Sequence, residues 1–281
     1  MTPEAKREAV KHLYERFGQS KRRLCHLVGL AHSSWHYKPK SNNSEDARKR
    51  LRELAEARRR WGYRRMHEIL RREGLVINHK RTARLYREEN LQLKSKRRRK
   101  TASMLRIPLQ YPERARQQWA MDFMSDNLAD GRRLRVLNII DVFTKEALAM
   151  VVDTSLPGKR VVQALEYLGW MHGMPDVVTV DNGPEFTGRA LDKWAWQNSV
   201  KLEFSRPGKP VDNAFIESFN RSVREECLND SWFLSLDHAR EVIEAWRNDY
   251  NDARPHSALG GRTPAEFAAL REDISLIAVV Q

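Results

Sequence analysis

Three acidic residues stand where acids are costly or conspicuous. Asp122 interrupts the apolar run of Trp119, Ala120, Met121 and Phe123. A carboxylate inside such a strand is expensive to bury unless it is paired or bound to metal. Asp181 follows the short β-branched run Val177–Val180 and opens the segment Asn-Gly-Pro-Glu-Phe. In mixed open sheets, sites gather at strand ends of this kind. Glu217 falls on the amphipathic stretch after the last predicted strand. Three carboxylates from three elements suit phosphodiester chemistry. Attack on phosphorus builds negative charge on the entering, phosphoryl and leaving oxygens, and two Mg²⁺ ions about 3.5–4 Å apart can clamp both sides of the displacement. Mg²⁺ prefers carboxylate, water and phosphate oxygens, and Mn²⁺ is accepted by the same octahedral oxygen set. Asp141, on the second predicted strand, is a competing acid better suited to a capping or pairing role.

The elements that must position these acids change character along the chain. Residues 3–17 have helical spacing, and the segment from Phe17 to Tyr37 has the rhythm of a helix-turn-helix. In that segment Ser20 caps a first helix, Gly29 sits at the turn and His32 opens a second helix. Residues 38–45 read as a polar linker. A basic helix from Glu45 to about Arg60 leads into a second helix-turn-helix candidate over residues 61–91, with Gly74 at its break and Asn78 or His79 at its restart. A basic connector, residues 94–103, follows. Beyond about residue 108, three strands in a row are followed by helix, strand, helix, strand and two helices, the last two capped by Asp212 and Asp237. Meander strands followed by crossovers predict an α/β, ribonuclease-H-like mixed five-stranded sheet flanked by helices, preceded by an all-helical basic region. The expected divisions are 1–40, a helix-turn-helix-like region; 45–100, a basic helical DNA-binding domain; 108–230, the catalytic core; and 231–281, a helical extension. Trp194 and Trp196 are expected in the core.

Charge points to the partner. Residues 1–110 hold 31 Lys+Arg against 11 Asp+Glu, whereas the rest holds 20 against 26. The first part has the balance of a polyanion binder, because cations released from DNA favour basic surfaces. An acidic second part close to DNA is reconciled if its carboxylates carry metal. Two distant cysteines make neither a disulfide framework nor a thiolate pair for zinc, and no zinc is expected. No apolar run is long enough for a membrane span, and the first ten residues lack the apolar core of a signal peptide. The expected location is the cytoplasm.

The segments Asp181–Phe186 and Asn213–Glu226 make the chain recognisable. It resembles the DDE transposases of the insertion-sequence IS-three family, the large open-reading-frame product, which are similar to retroviral integrases. Thirty-five residues separate Asp181 from Glu217, and Arg224 stands seven positions after Glu217, as in the family pattern. Residues 207–220, 250–267, 61–74 and 78–91 carry further likeness, so the resemblance covers nearly the whole chain. It implies Asp122, Asp181 and Glu217 as catalytic metal ligands for two Mg²⁺ or Mn²⁺ ions. It also implies strand cleavage and strand transfer at element ends, and work as a homo-multimer on DNA. Family members often act as a frameshift fusion with an upstream helix-turn-helix and leucine-zipper product, so such a partner is part of the expectation. Asn213, Glu217, Asn220, Arg221 and Arg224 share one helical face at i, i+4, i+7, i+8 and i+11. Asn213, Asn220, Arg221, Arg224 and Lys209 are the candidate DNA contacts of the core, and Arg64, Arg65, Lys80 and Arg81 those of the helical region. Asn182 is a candidate brace for the metal site, Glu185 a structural support, and His256 a turn or DNA-contact residue. The alternatives are a ribonuclease-H-like nuclease that cuts without joining, and a DNA-binding regulator with an inert core.

Overall fold

The computed structural model describes residues 2–36, 44–76, 78–93, 111–206 and 213–270. Lys209, the proposed cap Asp212, the basic connector at 94–103 and most of the linker at 38–45 lie outside the described residues. The chain divides into two compact units, Met1–Ala47 and Arg48–Gln281.

The first unit is built from α1 (Pro3–Phe17), α2 (Lys21–Val28) and α3 (His32–His36). Local chemistry sets its ends. Thr2 accepts a hydrogen bond from the Ala5 amide and Pro3 fits the first helical turn, while Ser20 accepts from the Arg23 amide to start α2. Gly29 ends α2 with φ +65°, a left-handed conformation that favours glycine. Val10, Leu24, Cys25 and Leu30 are buried together as a small core.

In the second unit, α4 (Ser44–Ala57, which begins just before the division), α5 (Tyr63–Arg72) and α6 (His79–Glu88) form the helical region. Asn78 caps α6 through the Lys80 amide, as its sequence position suggests. Trp61, Met66, Leu70, Leu85 and Tyr86 are buried, and His67 Nδ1 meets Thr82 Oγ1 at 2.8 Å across α5 and α6.

A five-stranded mixed sheet follows: β1 (Gln118–Asn127), β2 (Arg133–Asp141), β3 (Ala147–Asp153), β4 (Val177–Val180) and β5 (Lys201–Phe204), in the order β3-β2-β1-β4-β5. The first three strands are antiparallel; β4 and β5 run parallel to β1 after crossovers through α7 (Gly158–His172) and α8 (Arg189–Gln197). Strand alternation then sorts the side chains onto two faces. Trp119, Met121, Leu137, Ile139 and Val178 pack with α7 and α8. Ala120, Val136, Ile140 and Val152 pack with α9 (Ala214–Glu226) and α10 (Leu236–Asp252). This is the expected ribonuclease-H-like arrangement. Among the described residues, no helix is long and apolar enough to cross a membrane.

Two local expectations change. The cap of α10 is Ser235, whose hydroxyl accepts from the His238 amide, because Asp237 already lies inside the first turn, where it pairs with Arg240. Trp194 is buried but Trp196 is 84% exposed. Two positions on a helix turn the side chain through about 200°, so both cannot face one core.

Candidate active site

Asp122 shares its face of β1 with Ala120, and therefore faces α9. The parallel pairing of β1 with β4 aligns Ala120 with Thr179, and two residues further along each chain stand Asp122 and Asp181. Neighbouring strands lie about 4.8 Å apart, so the two carboxylates come from adjacent backbone tracks. α9 brings exposed Glu217 on its first turn. Burial is the main influence on Asp122, and the negative charges of Asp181 and Glu217 add to it; the Phe123 amide and the Asn220 side chain oppose them. The net effect pushes the Asp122 carboxyl up to about 6. The charges of Asp181 and Glu217 thus reach Asp122 at one pole of the sheet. Among the described residues, no Lys or Arg pairs with any of them, and no three acidic, imidazole or thiol groups are close enough to enclose an ion.

Asp122 is nonetheless held. Its Oδ2 accepts from Asn220 Nδ2 at 2.7 Å, and Asn220 Oδ1 accepts from Asn138 Nδ2 at 2.7 Å. Asn138 sits opposite Asp122 in the β1–β2 register and is fully buried. Sequence reading passed over Asn138. A lone amide inside the run Val136-Leu137-Asn138-Ile139-Ile140 is the signal that could have found it, because buried polar residues are the informative ones.

Asp181 is fixed by its own loop. Its Oδ1 accepts from the Gly183 amide at 2.9 Å, and a Cβ on residue 183 would stand 2.9 Å from that same oxygen. Only glycine leaves this contact undisturbed. Asn182 Nδ2 donates to the Ser205 carbonyl at 2.8 Å, tying the loop to the end of β5. Glu185 pairs with Arg135, which holds the Glu185 carboxyl below its ordinary range. The Arg135 guanidinium lies 4.2 Å from the centre of the Phe123 ring, and Phe123 stacks on buried Phe186.

Arg224 donates to Asp126 Oδ2 at 2.8 Å and to the Ser125 carbonyl at 2.7 Å, so it straps α9 to β1. Asn213 is buried at the start of α9, and Arg221 is exposed on it. In the helical region Arg64 and Lys80 are exposed and Arg81 is half-buried. Arg65 donates to Glu226 Oε1 at 3.1 Å. Asp141 is 2% exposed and accepts from the amides of Arg116, Phe143 and Thr144, a turn-capping role. His256 starts the turn at Ser257–Leu259, its ring edge-on to Tyr250.

Comparison with known proteins agrees with this architecture. Residues 112–210 and 198–264 match integrase core domain families, and residues 42–100 match an HTH-like domain. An uncharacterized 31.7 kDa protein of insertion element IS407 from Burkholderia multivorans is 48% identical over 256 residues, covering 91% of this chain and 92% of the relative. The putative transposase InsK of insertion sequence element IS150 from Escherichia coli K12 is 27% identical, covering 87% of this chain and 92% of that protein. Among solved structures, a chain of the simian T-cell lymphotropic virus intasome in complex with PP2A regulatory subunit B56 gamma is similar in fold, with a TM-score of 0.52 at 14% identity, covering 60% of this chain and 59% of that one. Helical region, integrase core and full-length relatives together show that the chain belongs to the insertion-sequence transposases of the IS-three family.

Proposed function

We propose that this chain cuts and joins DNA strands at insertion-sequence ends, using divalent metal held by Asp122, Asp181 and Glu217. One observation carries the reading. The sheet register and α9 bring these acids from three separate elements to one pole, where no described Lys or Arg neutralises them. The donor set fits Mg²⁺ or Mn²⁺, being all oxygen, and burial first, with the neighbouring acids after it, raises the Asp122 carboxyl. When bound, two such ions supply Lewis-acid stabilisation of the attacking and leaving oxygens.

The chain's own residues do the positioning. Asn220, itself oriented by Asn138, directs Asp122; the Gly183 amide directs Asp181; Arg224 fixes α9 along β1. Arg221, exposed on α9, and Arg64 and Lys80, exposed in the helical region, are available to DNA phosphate, and Arg suits phosphate through its planar fork. In this reading residues 45–100 bind DNA, 108–230 carry the chemistry and 231–281 support it. In the same reading the protein works in the cytoplasm as a homo-multimer on DNA.

The test is cleavage and joining on a labelled duplex bearing the element's terminal sequence, with Mg²⁺, wild type beside Glu217→Gln. Joined products from wild type alone support the proposal. Cutting without joining favours a nuclease. No reaction with normal DNA binding favours a regulator, or a requirement for an upstream-frame partner.

A further inference from the structure

The tail segment Arg254-Pro255-His256 is not used by the chemistry above, yet it grips the helix that carries Glu217. Arg254 is 3% exposed. Its guanidinium pairs with Glu226 and donates to Ser222 Oγ at 3.3 Å, both on α9. It also lies 5.2 Å from the centre of the Tyr250 ring, which meets Phe219 of α9 edge-on at 5.0 Å. Glu226 Oε1 is shared, because Arg65 of α5 donates to it as well.

Position on the helix gives this contact its meaning. Glu226 stands nine positions after Glu217, which is about two and a half helical turns. Glu226 therefore projects from the side of α9 opposite Glu217. The apolar contacts of α9, through Ile216, Phe219 and Val223, resist separation from the sheet but are non-directional, and the directed bonds of Asn220 and Arg224 hold only its front to β1. A charge-assisted hydrogen bond is directional, and resists rotation. A buried ion pair adds little stability over apolar packing of the same volume, so specifying an orientation is the stronger account of its presence.

We propose that Arg254 is a positioning residue that sets the rotation of α9, and hence the direction of Glu217, by holding Glu226 from behind, and that Arg65 links the helical region to the same carboxylate. This rests on the reading of Glu217 as a metal ligand.

The test uses the full chain and Mn²⁺ alone, following free Mn²⁺ by electron paramagnetic resonance, with thermal melting and duplex binding measured alongside. Arg254→Met leaves Glu226 paired with Arg65, and Arg65→Met leaves it paired with Arg254. We expect Arg254→Met to raise the half-saturating Mn²⁺ concentration about tenfold, the low end of what losing an outer support costs a metal site. Arg65→Met should raise it about threefold, a smaller loss because the buried partner remains. If Arg254→Met does not fold, Arg65→Met, whose side chain is 35% exposed, carries the test. Folded variants that bind Mn²⁺ as wild type does, even with a lowered melting temperature, overturn the proposal. Glu217→Gln separates the two claims. If it leaves the Mn²⁺ curve unchanged, the assignment of Glu217 fails and takes this inference with it. If it shifts the curve while both arginine variants do not, this inference alone fails.

Discussion

The two sides of α9 handle charge in opposite ways. On the front, Glu217 faces Asp122 and Asp181 with no described basic residue between them. On the back, one acid, Glu226, is shared by two arginines. The back follows the usual rule that a charge withdrawn from water is paired. The front holds half-buried Asp122 by amides alone, beside Asp181 and exposed Glu217. The same contrast runs through the second unit, where Arg58, Arg60 and Arg72 pair with Asp249, Asp230 and Glu266. Three acids at one pole of the sheet, none paired with a described Lys or Arg, suit a cationic partner. The difference separates the chemistry from its scaffold.

The largest effect should come from the front. Asp122→Asn, Asp181→Asn and Glu217→Gln each keep the side-chain shape and remove the charge. We expect strand cleavage to fall by ~10³-fold or more for each, the scale of losing a principal electrostatic contribution to a transition state. Duplex binding should stay within about threefold, since most of the attraction to phosphate comes from basic residues elsewhere. Loss of binding in parallel with cleavage would assign these acids to the fold.

Gly183→Ala is the next in size. Its Cβ would press on the Asp181 oxygen at 2.9 Å while touching little else. Cleavage should fall by about 10²-fold, the cost of misplacing a reactive group by about 1 Å, with a melting temperature close to that of wild type. An active, fully folded Gly183→Ala protein would show that Asp181 is not held in a working position.

At His256, whose ring meets Tyr250 while Tyr250 meets Phe219 of α9, the readout is stability. Burial first, and then the charges of Arg254, Arg65 and Lys145, hold the His256 imidazole down at about 3. In the unfolded chain it returns to about 6.5. The folded state therefore binds fewer protons than the unfolded state between these values. This contribution is fully present above about pH 6.5 and is lost as the pH falls towards 3, by on the order of a few kcal/mol. Denaturant unfolding at a series of pH values should show a shallower acid loss in His256→Gln than in wild type. Equal slopes would place His256 in contact with water.

The smallest effect belongs to the surface. Arg60 and Asp230 pair at 3.3 Å with side chains 50% and 36% exposed. Asp230→Ala should change unfolding free energy by less than about 1 kcal/mol, measured by denaturant titration. A larger loss would mean that the helical region depends on this pair for its place on the core.

Much of this was legible in the sequence, for identifiable reasons. Period-2 and period-3.6 patterning reported the order of strands and helices, and short-range chemistry at Ser20, Gly29, Gly74 and Asn78 reported the helix ends. Asp122 and Asp181 were visible because each breaks or ends an apolar run. What escaped depends on register. Asn138 faces Asp122 only because β2 pairs with β1 at one offset, and no local signal encodes that offset. Likewise, net charge marked the first part of the chain as basic. It could not show that Arg65 would be turned inward to Glu226, or that Arg224 would spend its guanidinium on Asp126 and Ser125. Helical spacing grouped Trp194 with Trp196, and only the packing of α8 separates them.

The most direct measurement is anomalous diffraction from crystals of the full chain soaked in Mn²⁺, collected on either side of the manganese edge. We expect a peak within coordination distance of Asp122, Asp181 and Glu217, and its loss in Asp122→Asn crystals soaked alongside. Manganese bound elsewhere on the protein, with no peak at this pole of the sheet, would contradict the assignment of the three carboxylates as the metal site.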